Sequence, residues 1–474
     1  MRYISTRGQS PPVSFLDAIL AGLAPDGGLY VPEGWPRIFT GGGESAPATQ
    51  TFAETARTVL AAFAGNDLSA QEVSDLTDEA YWSPTILTPP APRKWPPAVT
   101  PLVQIDSGDW VLELFRGPSL SFKDVAMQLI GPLYELALEK RDARLSVVCA
   151  TSGDTGGAAV EALKGRERVD LFVLLPKGRT SDVQRLFMTA SGASNVHTVE
   201  IAGDFDDCQR IVKAMFADRD FTKNAALSGV NSINWARIVA QSVYFHIAAA
   251  ALSAPGPVDF IVPTGNFGDA FSGWVAKQCG APIGKITLAT NENDILARTL
   301  KTGVYKRASQ SHATLSPAMD IQVASNFERI LFEVLERDGD AVRRLYEQFA
   351  QSGEFEIPAH ALERLRADFN AGSANDAETV ATMKARWSEG DGYLMCPHTA
   401  VGVHVGAGAE GARVFLATAH PAKFPETVEA ATGISSPLPM GCADLFERTE
   451  KFDTLDADVA AVKRYIRERS RAWT

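Results

Sequence analysis

The chain has 474 residues, 45% hydrophobic and 22% charged, the balance of a soluble globular protein with length for two or three domains. Its net charge of −12, with 45 Lys and Arg against 57 Asp and Glu, argues against nucleic-acid binding but leaves room for a local pocket that takes a small anion. Five scattered cysteines without a CxxC pair, and no apolar run near the roughly 20 residues of a membrane helix, argue against zinc, a disulfide framework or a membrane span. Reduced thiols, no signal peptide and a cytoplasmic location are therefore expected.

In chain order, SFLDAILAGLA (Ser14 to Ala24) and TFAETARTVLAAFAG (Thr51 to Gly65) carry apolar residues at helical spacing, with Gly41 to Gly43 as a break between them. The prolines of SPTILTPPAPRKWPP cannot continue a helix or donate to a central sheet, so they close this region. The pattern then changes. LSVVCA, DLFVLLP, VDFIVP, KITLAT and RVFLATAHP (Arg413 to Pro421) are short apolar runs alternating with helical stretches. That alternation predicts parallel sheets covered on both faces, with ligand loops at the carboxyl ends of the strands. Phe327 to Ala350 reads as helix interrupted at Gly339. The expected division is a mainly helical region over 1–98, a large α/β domain from 99–142 and 225–474, and a small α/β domain over 143–224.

Three stretches stand out for chemistry. SLSFKDVAMQ places a single cation, Lys123, between Phe122 and apolar positions. It reads either as a surface lysine or as a desolvated amine placed to react. TSGDTGG (Thr151 to Gly157) follows a predicted strand and opens a helix, where backbone N–H groups favour anions. A well-capped tight turn is the competing reading, and the Gly-Lys-Ser/Thr ending of a nucleotide loop is absent. PTGNFGDAF (Pro263 to Phe271) is a second strand-to-helix loop, whose glycines let backbone approach a phosphate closely. No GxGxxG fingerprint follows a predicted strand, which disfavours NAD. A reactive lysine with phosphate-gripping loops suggests pyridoxal phosphate chemistry, in which lysine forms a Schiff base and the cofactor supplies an electron sink.

SFKDVAMQ, ATSGDTGGAA, VNSINWARI, PTGNFGDAFSG, ATNENDIL and TAHPAKF also follow one another in the order and spacing of threonine synthases, as does the opening STRG…SFLDAILAGLAPDGGLYVP. From Tyr3 to about Glu429 the chain resembles the long bacterial and fungal branch of that family, and the remaining C-terminal residues match less clearly. The resemblance implies an α/β, tryptophan-synthase-β-like fold (pyridoxal phosphate fold type II) with two parallel-sheet domains. It implies conversion of O-phospho-L-homoserine and water to L-threonine and phosphate, by γ-elimination and β-addition of water.

By motif, the resemblance makes Lys123 the cofactor-binding and catalytic lysine. Gly265, Asn266, Phe267, Gly268 and Asp269 are set around the cofactor phosphate, and Thr418 meets the pyridine nitrogen. Thr151, Ser152, Asp154 and Thr155 are set against the substrate carboxylate or the cofactor edge; Asp154 either steers a proton there or only caps its helix. Arg237 is the first candidate for the substrate phosphate, because a guanidinium grips phosphate in bidentate fashion. Ser232, Asn234 and Lys277 stand behind it. Asn326, His398 and Thr399 sit in loops typical of the family, where substrate contact and a structural hydrogen bond compete, and Arg116 is a further anion candidate. No metal, nucleic acid or membrane partner is expected, and the assembly is expected to be a monomer or homodimer. Another fold type II lyase, such as a serine or threonine dehydratase, and a non-catalytic relative that binds the cofactor or a metabolite are the alternatives.

Overall fold

The computed structural model describes residues 1–38, 50–81, 98–252, 256–390, 392–408 and 411–474. The expected break at Gly41 to Gly43 and the proline stretch 83–97 lie outside the described residues. Two sheets organise the chain. The larger has six strands in the order Phe369–Ser373, Ile283–Thr290, Val258–Pro263, Arg413–Ala417, Asp109–Glu113, Leu102–Asp106. Its strands pair in parallel except for the terminal hairpin of Leu102–Asp106 on Asp109–Glu113. The second sheet has five parallel strands, in the order Asp453–Asp456, Val196–Ala202, Val169–Pro176, Leu145–Ala150, Leu227–Ser228. Val169–Pro176 and Arg413–Ala417 are buried at every residue, so both faces of each sheet are covered, as their continuous apolar runs predict.

The N-terminal region is mainly helical. Ser14 caps Phe15–Ala21, and Thr51 with Glu54 forms a capping box for Phe52–Ala64. These helices pack with Lys123–Glu139 and Trp235–Ala251 in one apolar core. Trp235 is fully buried there, with its ring 5.7 Å from Tyr3, 6.1 Å from Trp35 and 5.7 Å from Phe63. It joins the N-terminal region to the helix that follows the Ser232 loop. Trp235→Ala removes a side chain whose loss from a core costs about 3–5 kcal/mol. It is expected to lower the midpoint of thermal unfolding of the whole chain, and an unchanged midpoint would show that the two regions are not coupled through this contact.

Three expectations are corrected. Residues 225–474 do not belong wholly to the larger sheet: Leu227–Ser228 and Asp453–Asp456 pair in the second one. The C-terminal strand covers the edge of Val196–Ala202, and helix Val459–Arg469 lays Val462, Tyr465 and Ile466 on the apolar face around Phe172 and Val199. Arg471 then locks the tail, donating from Nε and from its backbone N–H to the buried Asp170 carboxylate at 2.7 and 2.6 Å. The run Arg413 to Pro421 is strand only to Ala417, because Pro421 opens a 3-10 turn, Pro421–Lys423, and has no N–H for a sheet. The interruption in Phe327 to Ala350 precedes Gly339: helix Phe327–Val334 ends, Glu336 and Arg337 adopt φ of 59° and 65°, and Asp338 caps a new helix, Gly339–Ser352.

Candidate active site

The loops that leave the carboxyl ends of Leu145–Ala150 and Val258–Pro263 meet across a cleft of about 1240 Å³. That volume exceeds what a single small ligand fills. Lys123, Ser152, Asp154, Arg237, Gly265 and Thr418 all line it.

Lys123 begins the helix Lys123–Glu139 at the end of a tightly held turn. The Asp124 carboxylate accepts from the Ser119 N–H and hydroxyl, and the Phe122 N–H donates to the Thr418 carbonyl at 2.8 Å. The amine is buried, 4.6 Å from the centre of the Phe122 ring. Burial lowers its pKa, Asp154 opposes that shift, and the charges of Arg237 and Lys423 add to it. Of the two readings of Lys123, the structure has the desolvated amine.

Asp154 is the hub of this site. Its Oδ2 lies 3.3 Å from Lys123 Nζ; its Oδ1 accepts from Lys423 Nζ at 2.7 Å and from Gln184 Nε2 at 3.1 Å. Burial alone would raise its pKa, but Lys423 and Lys123 outweigh burial and hold it well below the usual carboxylate range. It therefore stays an anion. Gly153 before it adopts φ of 147°, a conformation that only glycine takes without strain. The Thr151 hydroxyl accepts from the N–H groups of Gly153 and Gly156 at 2.9 and 3.0 Å, so it builds the loop. Ser152 and Thr155 line the cleft, and their side chains make no hydrogen bond to the described residues.

The second loop is a cradle of donors. Phe267 has φ of 65° and its ring packs on Phe327 and Phe369, so only its backbone serves the loop. The helix Gly268–Gln278 starts there without a side-chain cap. The N–H groups of Gly265, Asn266, Phe267 and Gly268 find no acceptor among the described residues. Orphan N–H groups at a helix N-terminus form an anion site. Gly265 is needed for shape, since a Cβ there would lie 2.9 Å from the Ala318 carbonyl oxygen. Behind the loop, Asn326 donates to the carbonyls of Ser232 and Asn266 and accepts from Arg329.

Asp269 accepts the Tyr244 hydroxyl on Oδ1, and its buried Oδ2 has no partner. Burial, opposed by Tyr244, Arg237 and Lys123, raises its pKa to about 7. Unfolded, the group releases its proton near pH 3.9. Between about pH 4 and 7 the folded chain therefore holds a proton that the unfolded chain has lost, and stability falls across that window. Asp269→Asn cannot ionise and still accepts from Tyr244. It is expected to match wild type near pH 4 and to melt progressively higher than wild type up to pH 8. A difference in melting temperature that stays flat with pH would disprove this.

Arg237 is buried, yet it forms no ion pair with the described residues; its Nη1 donates to the Val230 carbonyl at 3.3 Å and its Nε has no partner. Burial lowers its pKa to about 10. Arg329, equally buried, is satisfied by Tyr30, Ile233 and Asn326. An unmatched guanidinium beside a cleft is positioned for an anion. His398 lines the cleft and its Nε2 accepts from the Ala318 N–H at 3.2 Å. Burial lowers its pKa to about 4, which keeps the ring neutral. Thr418 and Ser232 also line the cleft.

Five sequence candidates do not line the cleft. The Asn234 amide is used by Ile19, Tyr134 and the Ala236 N–H, as the cap of the helix Trp235–Ala251. Lys277 lies nine residues beyond Gly268, roughly 13 Å along the helix at about 1.5 Å per residue. It pairs there with Asp368 and the Gly284 carbonyl. Asn326 braces the loop from behind, Thr399 faces Cys396 at 3.2 Å, and Arg116 pairs with Glu113. Lys423, Gln184 and Tyr244 are the residues that the motifs did not single out. For Lys423 a signal existed: a lysine in the apolar context of HPAKF, as for Lys123 in SFKDVAM.

The donor set fits pyridoxal phosphate. It offers a buried amine able to condense with an aldehyde, a cradle of orphan N–H groups that suits a phosphate, and the neutral hydroxyl residue Thr418 in the same cleft. Among the described residues no cluster of side chains is suited to a metal, and no helix is long and apolar enough to cross a membrane.

Comparison with known proteins agrees. A family described as pyridoxal-phosphate dependent enzyme matches residues 97–353. Families described as threonine synthase N terminus and threonine synthase, C-terminal, match residues 2–81 and 399–466, so the likeness extends past Glu429. A threonine synthase of Pseudomonas aeruginosa is 44% identical, over 98% of both chains. The crystal structure of a pyridoxal-phosphate-bound threonine synthase from Brucella melitensis is 48% identical, with a TM-score of 0.92 over 100% of both chains. The threonine synthase structure from yeast is 36% identical, with a TM-score of 0.90 over 99% of this chain and 98% of that one.

Proposed function

The chain belongs to the threonine synthase family of pyridoxal-phosphate-dependent enzymes, and on that premise we propose how its cleft turns O-phospho-L-homoserine and water into L-threonine and phosphate. The observation that carries the proposal is the pairing, in one cleft, of a desolvated amine with two separate places for an anion. Lys123 is assigned to the cofactor carbonyl, the backbone of Gly265 to Asp269 to the cofactor phosphate, and Thr418 to its ring nitrogen. Arg237, near Ser232, is assigned to the phosphate of the substrate. Ser152 and Thr155, with free hydroxyl groups, are assigned to the substrate carboxylate. When bound, the cofactor supplies an electron sink for charge that develops on the substrate carbon chain.

The residues of the chain handle the protons. With its amine free, Lys123 takes the proton from Cα, because desolvation lowers its pKa and its amine is held in the same cleft. The Cγ–O bond then breaks with its electron pair going to phosphate, which Arg237 holds and which takes up the proton lost from Cβ. The proton that Lys123 took reaches Cγ, water adds its hydroxyl to Cβ and gives its proton to Lys123, and Lys123 delivers that proton to Cα. One water is consumed and one phosphate released. Asp154, an anion throughout, orients Lys123 and cannot serve as an acid. Neutral His398 adds no charge beside the leaving phosphate.

The test is turnover by the purified chain with pyridoxal phosphate and O-phospho-L-homoserine. Threonine and phosphate are expected in equal amounts. Release of a 2-oxo acid from serine or threonine, without action on the phosphate ester, would instead identify a dehydratase.

A further inference from the structure

Lys423 has no part in the chemistry assigned above, yet it is the more deeply buried of the two lysines at Asp154, 1% exposed against 8% for Lys123. It closes the 3-10 turn Pro421–Lys423 that follows the central strand Arg413–Ala417 of the larger sheet. Its ammonium donates to Asp154 Oδ1 at 2.7 Å and to the Ser119 carbonyl at 2.9 Å, with the Phe187 ring 5.7 Å away. Ser119 belongs to the turn that delivers Lys123, and Asp154 belongs to the loop of the other sheet. The lysine thus ties three segments together from behind the cleft, which it does not line.

A hydrogen bond to Asp154 does not by itself require a lysine, because Gln184 Nε2 already donates to the same oxygen. Burying a second ammonium costs several kcal/mol in desolvation. Charge is what Lys423 adds. Around Lys123 stand Asp154 from the loop of the second sheet, Arg237 from helix Trp235–Ala251, Asp269 from helix Gly268–Gln278, neutral His398 from helix Pro397–Val405, and Lys423. Without Lys423, Asp154 would be an anion only while Lys123 was a cation, and each group would hold the other charged.

We propose that Lys423 is a positioning residue that keeps Asp154 an oriented carboxylate whether or not Lys123 carries its proton, and so lets Lys123 act as a base. The proposal rests on Lys123 being the reacting amine. Lys423 does not line the cleft, so its effect reaches the reaction through Asp154 and through its repulsion of Lys123.

The test needs no turnover. Full-length, cofactor-free protein is labelled with short pulses of acetic anhydride across a pH series, and the modification of Lys123 is followed by peptide mass spectrometry. Wild-type Lys123 is expected to titrate below the roughly 10.4 of an ordinary lysine. Lys423→Met is expected to raise that midpoint by about one pH unit or more, because a repelling charge is lost and Asp154 is left to Lys123 alone. Lys423→Arg should return the midpoint toward wild type. Lys423→Gln keeps a donor without charge and serves if the Met variant does not fold; it should shift the midpoint as Met does. A midpoint unchanged in Gln and Met overturns the proposal and leaves Lys423 as packing. A wild-type Lys123 that titrates as an ordinary lysine, with activity lost in Lys123→Ala, overturns this proposal alone, whereas activity that survives Lys123→Ala overturns the assignment of Lys123 and the proposal with it.

Discussion

Lys123→Ala is expected to cut threonine formation by roughly 10⁴-fold or more, because it removes both the attachment point of the cofactor and a general base, which alone contributes roughly 10²–10⁴-fold. The variant should still fold. Asp154 keeps Lys423 at 2.7 Å and Gln184 at 3.1 Å, so no buried carboxylate is left without a partner. Alanine in the first turn of the helix Lys123–Glu139 favours that helix, and removing a buried ammonium removes its desolvation cost. The expected result is thus a steep loss of activity with an unchanged or higher melting temperature. A small exogenous amine such as methylamine should restore part of the rate, since the cavity left by the side chain opens on the cleft. Activity within tenfold of wild type would remove Lys123 from the reaction.

Arg237→Gln is expected to lower kcat/KM by roughly 30- to 3000-fold, the range that corresponds to about 2–5 kcal/mol for truncating one member of a buried charged pair. The effect should fall on KM and on inhibition by inorganic phosphate, both of which report the anion that Arg237 holds. Stability should move the other way. With no ion pair and one weak hydrogen bond among the described residues, Arg237 carries a buried charge in the free protein that is not paired there, and glutamine does not. A variant that melts higher and binds phosphate more weakly is the signature of a group held for a ligand. If cofactor affinity falls while inhibition by phosphate stays, Arg237 serves the cofactor instead. If neither changes, the anion site is elsewhere in the cleft.

Much of the architecture was legible from local pattern. DLFVLLP and VDFIVP read as strands because continuous apolar runs without a polar face fit only a sheet covered on both sides, and both lie in such strands. The loops TSGDTG and TGNFGD could be placed in a ligand cleft because each leaves the carboxyl end of a parallel strand and enters a helix. The misplacements share one cause. Asn234 and Lys277 lie within or beside motifs that do reach the cleft, but a helix turns about 100° per residue. Position in a motif does not fix direction, and their partners are Ile19, Tyr134 and Asp368, none of them close in the chain.

The residues by themselves determine that this is an α/β protein with an N-terminal helical region, two glycine-rich strand-to-helix loops and a lysine in an apolar setting. These follow from periodicity, turn chemistry and residue type, all of which act over a few positions. Only the tertiary structure decides that Lys123 is desolvated, that Asp154 is shared between two lysines, that Arg237 makes no ion pair among the described residues, and that the last strand joins the second sheet. Burial and charge balance depend on what lies within a few ångströms in space, and here those neighbours come from segments as far apart as residues 119, 154, 237 and 423.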